Sequence, residues 1–281
     1  MGRIRKALSI IRDHILLALV MIFILFPFAW LVVSSFKSAE QIFEPVPSWI
    51  IKDFTFEHYI WMLSADGGNL MNYINNSLVA TILTVIITMF IALTSGYAIG
   101  RFDFPGKPLF LGLLFATQMF QGPLIMIPWY RMGAFWGILD TKTVLVLIYG
   151  TMTIPITVVM MSGFFKTVPI ELEEAAYIDG CSKLQTLVKI DLPLVKPGIV
   201  AVAIMAFIIA WNDYQYALIL TSSPRAKTVQ VVITDYMQAI GNIDWGGLLA
   251  GGVVVTVPVI IIFGFAQKYL VEGLTQGAIK G

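Results

Sequence analysis

The sequence predicts an all-α integral membrane protein with six spanning helices, and three observations lead there. Of its 281 residues, 58% are hydrophobic and only 12% charged; soluble domains run at roughly 45–50% apolar and about 25% charged. The apolar residues gather into six runs, each near the roughly 20 residues a helix needs to cross the hydrocarbon. Basic residues then fall unevenly beside those runs, which gives the chain a direction. A formal net charge of +1 leaves no basic face for a nucleic acid.

The first run covers 15–36 and follows Arg3, Arg5, Lys6 and Arg12. A cleaved signal peptide has a shorter apolar stretch, about 7–15 residues, and small residues at the cut. This run is longer and holds Trp30 and Phe36, so it reads as a retained helix. The remaining spans are expected at 75–99, 109–130, 143–165, 198–220 and 248–269. Pro123 and Pro128 should bend the third, Pro155 the fourth and Pro258 the sixth, which neighbouring helices tolerate by satisfying the freed backbone groups.

Arg101, Lys107, Lys166, Lys183, Lys189, Lys196, Lys268 and Lys280 fall on the side of the N-terminal cations. Lys37, Lys52, Arg131, Lys142, Arg225 and Lys227 fall on the other. Positive-inside placement puts both termini and the 166–197 segment in the cytoplasm. The short inner loop from Arg101 to Lys107 is expected to anchor at the headgroups. Two sizeable outer loops remain, 37–71 and 221–247. In the first, Pro45, Pro47, Trp49 and Ile50 suit an interfacial hairpin or short helix, and Glu57 to Leu63 suits a helix. These loops either touch an extracytoplasmic partner or merely cover the helix ends.

Between the fourth and fifth spans lies a polar island, Pro169 to Pro197, reading PIELEEAAYIDGCSKLQTLVKIDLPLVKP. Pro169 suits a first helical position, and Glu171, Glu173 and Glu174 place negative charge where the helix dipole favours it. Leu172, Ala175, Ala176 and Asp179 share a face at i, i+3, i+4, i+7 spacing. Gly180 permits a left-handed stop, and Ser182 with Gln185 matches a capping box that restarts a helix. Pro193 and Pro197 are expected to end it. Two such short helices are marginal alone and must lean on something. A bed of headgroups is one candidate; the small-residue stripe and the acidic first helix favour a groove in another protein.

Catalytic chemistry is scarce. There are two histidines, His14 and His58, and one cysteine, Cys181, with no HExxH zinc site and no GxxxxGK[ST] phosphate loop. No metal site and no enzyme activity are expected; if ATP is used, another polypeptide hydrolyses it. Six helices without an internal repeat or a membrane-embedded charge chain make a poor solitary carrier. A pathway shared with a second membrane chain fits better, a self-contained ion-coupled carrier is the alternative, and a structural scaffold is a third reading.

The sharpest polar cluster within a span is Trp211, Asn212, Asp213, Tyr214, Gln215 and Tyr216. An Asp inside the hydrocarbon costs roughly 2.5–3.5 kcal/mol on insertion scales, so Asp213 should face a wet cavity or a partner group. Aromatic faces with amides and a carboxylate are the chemistry that binds sugars, but amides also join helices to one another. Gln118 and Gln121, flanking Met119 and Phe120, form a weaker second candidate.

Glu174-Ala175-Ala176, then Gly180, then Ile190, Leu192 and Pro193 stand at the spacing of the EAA motif, and here the chain resembles the permease subunits of ABC importers. Asn76-Ser77, Tyr97-Ala98, Arg101-Phe102, Phe104 to Lys107, Trp211-Asn212-Asp213 and the tail Gly273 to Gly281 resemble the carbohydrate-uptake branch. Within it the tail is similar to that of the shorter, maltose-type second permease subunit. The resemblance implies a type I importer fold, one permease domain over 1–281, in a bacterial inner membrane. It implies a second permease, two ATPase subunits and an extracytoplasmic solute-binding protein as partners, with a sugar, oligosaccharide or polyol as cargo. ATP and Mg would sit on the ATPases and no cofactor on this chain. The 166–197 loop would dock in an ATPase cleft, with Glu174 as charged contact, Ala175 and Ala176 allowing close approach, Gly180 making the corner, and Asp179, Ile190, Leu192 and Pro193 completing the motif. The tail 270–281 would reach the ATPase pair through Gln276 and Gly277, unless it is a frayed polar end.

Overall fold

The computed structural model describes residues 2–65, 67–120, 122–238 and 244–278, with backbone alone at 2–5, 7–9, 123, 237–238 and 269–278. The described residues are helical, with one isolated β-bridge between Lys37 and Phe54. In chain order the helices are α1 Gly2–Ser35, α2 Ala39–Ile42, α3 Glu57–Leu63, α4 Leu70–Arg101, α5 Lys107–Met119, α6 Pro123–Phe135 and α7 Lys142–Thr167. Then come α8 Ile170–Ile178, α9 Lys183–Thr186, a π-helical turn Leu187–Asp191, α10 Leu192–Leu194, α11 Lys196–Trp211, α12 Gln215–Leu220, α13 Val229–Gln238 and α14 Trp245–Ala278. Four of these, α1, α4, α7 and α14, contain stretches long and apolar enough to cross a membrane, and six crossings result if each of two bent helix pairs counts as one.

The residues divide into two units, Met1–Leu70 with Ile233–Val257 and Met71–Val232 with Pro258–Gly281. In the first, side chains 10–29 of α1 are all exposed, a hydrophobic surface that lipid or another apolar helix must cover. The loop after α1 folds on itself through aromatic rings: Phe36 stacks on Phe54 at 5.1 Å and on Tyr59 at 5.0 Å. The Lys37 ammonium lies over Trp30 and donates to the Ser48 carbonyl at 2.5 Å. Expected helix 57–63 is present as α3, and Glu57 in its first turn sits where the dipole favours an acid.

The second unit is built around α7, whose apolar stretch is the most deeply buried of the four long candidate spans. Small residues bring its neighbours close: a β-carbon on Gly96 would lie 2.7 Å from that of Met161, and one on Gly100 would lie 3.0 Å from that of Phe165. Gly96 and Gly100 are a small-xxx-small pair of the kind that lets membrane helices touch backbone to backbone. Thr88 and Thr153 share a hydrogen bond of 2.8 Å across the same seam. On the other side, a β-carbon on Gly198 would strike the Phe164 ring. At one end of this unit the Asp140 carboxylate accepts the Ser222 and Ser223 amides at 2.8 and 2.9 Å, tying the α6–α7 corner to the chain after α12.

Three expectations need correction. The 109–130 run is broken more sharply than a proline bend: the helical stretches on its two sides meet at 97°, Gly122 takes a φ of +79°, open to glycine, and Pro123 begins α6 because a first helical residue needs no amide proton. The 198–220 run is interrupted between Trp211 and Gln215. Pro193 and Pro197 do not end the polar island's second helix; each stands in an opening turn, of α10 and of α11. The π turn keeps the chain helical up to α10, and the helical stretches Lys183–Leu194 and Lys196–Trp211 meet at 78°. Pro155 and Pro258 lie inside uninterrupted α7 and α14.

Candidate functional site

The polar island folds locally as its residues dictate. Pro169 is the residue before α8 rather than its first, with Glu171 and Glu173 in the opening turn. The helix stops in a Schellman motif: Gly180 N–H donates to the Tyr177 carbonyl at 3.1 Å and Cys181 N–H to the Ala176 carbonyl at 2.9 Å, with Gly180 at φ +83°. No heavy atom lies within 4 Å of a β-carbon built on Gly180, so glycine is required there by backbone conformation and not by space. Ser182 and Gln185 form both bonds of the expected capping box, at 3.3 and 2.8 Å.

What α8 turns inward differs from the expected stripe. Glu173 and Ala176 are buried, while Leu172, Glu174, Ala175 and Asp179 are exposed. Burial of Glu173 is explained by Arg101 at the end of α4, whose Nε lies 2.5 Å from Glu173 Oε1. Arg101 Nη2 donates to the Val168 carbonyl at 2.8 Å and stands 3.9 Å from Asp191 Oδ1. The side chains of Arg101 and Glu173 are each 7% exposed and that of Asp191 is 0%. One cation thus holds two acids from two helical turns. Burial pushes the Asp191 carboxyl up to about 6, and the nearby Glu173 carboxylate adds to this against the pull of Arg101. Arg101 is therefore a buried anchor and not a headgroup contact; Lys107 pairs with Asp103 at 2.9 Å.

The outward side of the island mixes apolar and charged side chains. Ile178 is 87% exposed, Leu184 69% and Val188 54%, arranged about the Gly180 corner with Glu174 and Asp179 beside them. Of the remaining motif residues, Leu192 packs against the core formed by α4, α7 and α11, Ile190 is half-buried and Pro193 is exposed.

The second candidate splits in two. Asp213 is buried, and its carboxylate accepts Tyr216 N–H at 3.4 Å and Ala217 N–H at 3.0 Å, capping α12. Asn212 and Gln215 are exposed and Tyr214 is half-buried. Tyr216 turns toward the other sequence candidate: it lines one cavity of about 360 Å³ together with Gln118, Phe120 and Trp129, and its hydroxyl accepts the Gly122 amide at 3.3 Å. Residues almost a hundred positions apart are thereby brought to one place. Gln121 lies outside the described residues, as does the side chain of Gln276, and Gly277 is placed only as backbone in α14.

Sequence reasoning missed Arg101 and Glu173 as a pair, because nothing local marks two residues 72 positions apart as partners. A signal was present: Glu173 sits three residues before Ala176, so the two share a face of α8.

Comparison with known proteins gives the arrangement its context. Residues 6–276 match the family described as the binding-protein-dependent transport system inner membrane component. An inner membrane ABC transporter permease protein of Escherichia coli, YcjP, is 32% identical over 99% of both chains. The trehalose/maltose transport system permease protein MalG of Thermococcus litoralis is 33% identical over 98% of both. Among solved structures, a bacterial ABC transporter involved in the import of the acidic polysaccharide alginate shares the fold, with a TM-score of 0.78 and 22% identity over 94% of this chain and 97% of that one. On this basis the chain belongs to the inner membrane components of binding-protein-dependent transport systems: it is a multi-pass permease subunit of an ABC importer, a family whose ATPase is a separate subunit.

Proposed function

We propose that this chain forms, with a second permease, the pathway by which a bacterial inner membrane takes up a sugar, oligosaccharide or polyol delivered by an extracytoplasmic solute-binding protein. Two cytoplasmic ATPase subunits, which hold the ATP and Mg, drive it through the corner at Gly180. The observation that carries the coupling role is the exposed apolar surface of Ile178, Leu184 and Val188 beside Glu174, backed by the buried Arg101–Glu173 pair. Moving a two-state gate from 1:99 to 99:1 takes about 5.5 kcal/mol of differential binding, which only a stiff element can transmit. The carbohydrate class is supported by MalG, named for trehalose and maltose. Both termini and the island lie in the cytoplasm on this reading, in keeping with the distribution of Lys and Arg, and Gln276 and Gly277 extend the ATPase contact.

Uptake into vesicles containing the assembled complex tests this. It should require internal ATP and external binding protein, and a crosslinker placed at Glu174 should capture the ATPase subunit. Uptake driven by an ion gradient with this chain alone would overturn the proposal.

A further inference from the structure

Two interrupted helices of the second unit converge on one cavity. Phe120 stands at the break between α5 and α6, Tyr216 two residues beyond the break between α11 and α12, and both line the same space of about 360 Å³. Their breaks are joined directly, Gly122 N–H donating to the Tyr216 hydroxyl at 3.3 Å. Non-helical backbone at membrane depth persists only where it is buried in protein or lines a water-filled cavity, and discontinuous helices mark the binding sites of many membrane transporters.

The lining has the chemistry of one ligand class. Phe120, Trp129 and Tyr216 supply aromatic rings from three segments, and Gln118 supplies an amide. Thr117 and Thr151 also line the space, beside the aliphatic Ile125 and Met152, and each threonine hydroxyl donates to a carbonyl of its own helix at 2.7 Å. Their protons are committed while oxygen lone pairs remain, so both threonines accept. Tyr216, which accepts from Gly122, keeps its own proton to donate. No lining residue among those described carries a charge at neutral pH. A pyranose ring has carbon-bound hydrogens on its faces, which pack on aromatic rings, and hydroxyls around its rim, which both donate and accept. The volume is at the lower end of the roughly 300–1,000 Å³ of small-ligand pockets, enough for a ring and too small for an oligosaccharide.

We propose that this cavity binds one uncharged pyranose unit of the cargo, so that this subunit itself reads the saccharide and disfavours uronic acids. The inference rests on the saccharide-import reading and adds a site and a selectivity to it. The test uses the full complex in vesicles with internal ATP, at saturating loaded binding protein, so that the binding protein's own affinity no longer limits. The probes are maltose, trehalose, cellobiose and digalacturonate. A neutral disaccharide should be carried. Trp129→Ala should then slow uptake about tenfold, the cost of roughly one lost aromatic contact, and Trp129→Phe should restore most of it. Thr151→Val, which keeps the shape and removes an acceptor, covers the case in which Trp129→Ala fails to assemble and should slow uptake several-fold. In a Cys181→Ser background, the carried saccharide should also slow alkylation of Thr151→Cys. Wild-type uptake in Thr151→Val and Trp129→Ala, absent protection, or transport of digalacturonate alone would each overturn the site while leaving ATP-driven import standing. Absence of ATP-dependent uptake of any saccharide would overturn both.

Discussion

At the scale of single residues, the decisive group is Arg101. Its guanidinium faces Glu173 at 2.5 Å and Asp191 at 3.9 Å in a place almost closed to solvent. Removing one partner of a buried pair leaves an uncompensated charge, typically at 3–5 kcal/mol. Arg101→Met should therefore lower the thermal stability of the purified protein sharply, and adding Glu173→Gln with Asp191→Asn should recover much of the loss. Asp191 also makes a pH signature. Its carboxyl is raised from 3.8 to about 6 in the fold, by burial first and the Glu173 carboxylate second. A raised acid contributes stability that is present below its unfolded value and lost as pH rises through its folded one. Between about pH 4 and 6 the wild type should lose stability relative to Asp191→Asn, which has no such proton; parallel melting curves across that window would refute the assignment.

At the scale of elements, the polar island behaves as a bent pair of short helices whose ends are closed by local bonds. The Schellman stop at Gly180 and the Ser182–Gln185 capping box use side chains and amides a few residues apart, which is why both were legible in the sequence. Gly180→Val forces a β-branched residue to φ +83°, a conformation costing about 1–2 kcal/mol for L-residues. The variant should reach the membrane at wild-type levels yet lose most ATP-driven uptake, measured as transport per ATP hydrolysed. The stripe through Leu172, Ala175 and Asp179 was read from periodicity alone, and the inward face proved to be Glu173 and Ala176 instead. Periodicity identifies faces; it does not say which one a distant cation will claim.

At the scale of the whole molecule, the chain is a permease whose second unit is organised around α7, with glycine-mediated approach of α4 and α11. For its topology the protein carries its own probe. Cys181 is the chain's one cysteine and is half-exposed at the Gly180 corner. A membrane-impermeant maleimide should label it in inside-out vesicles and not in intact cells; labelling from outside would invert the proposed orientation.

The amino-acid sequence by itself determined the solvent, the apolar runs and the turn at Gly180, because these depend on composition and on bonds between residues a few positions apart. Only the tertiary structure decided that Arg101 closes on Glu173 and Asp191, that Asp213 caps α12, and that Phe120 and Tyr216 line one cavity. Asp213 needed the interruption of α11 to become a cap. The ion cluster and the cavity join residues many tens of positions apart, and their partners are chosen by which helices pack together, a matter no local pattern encodes.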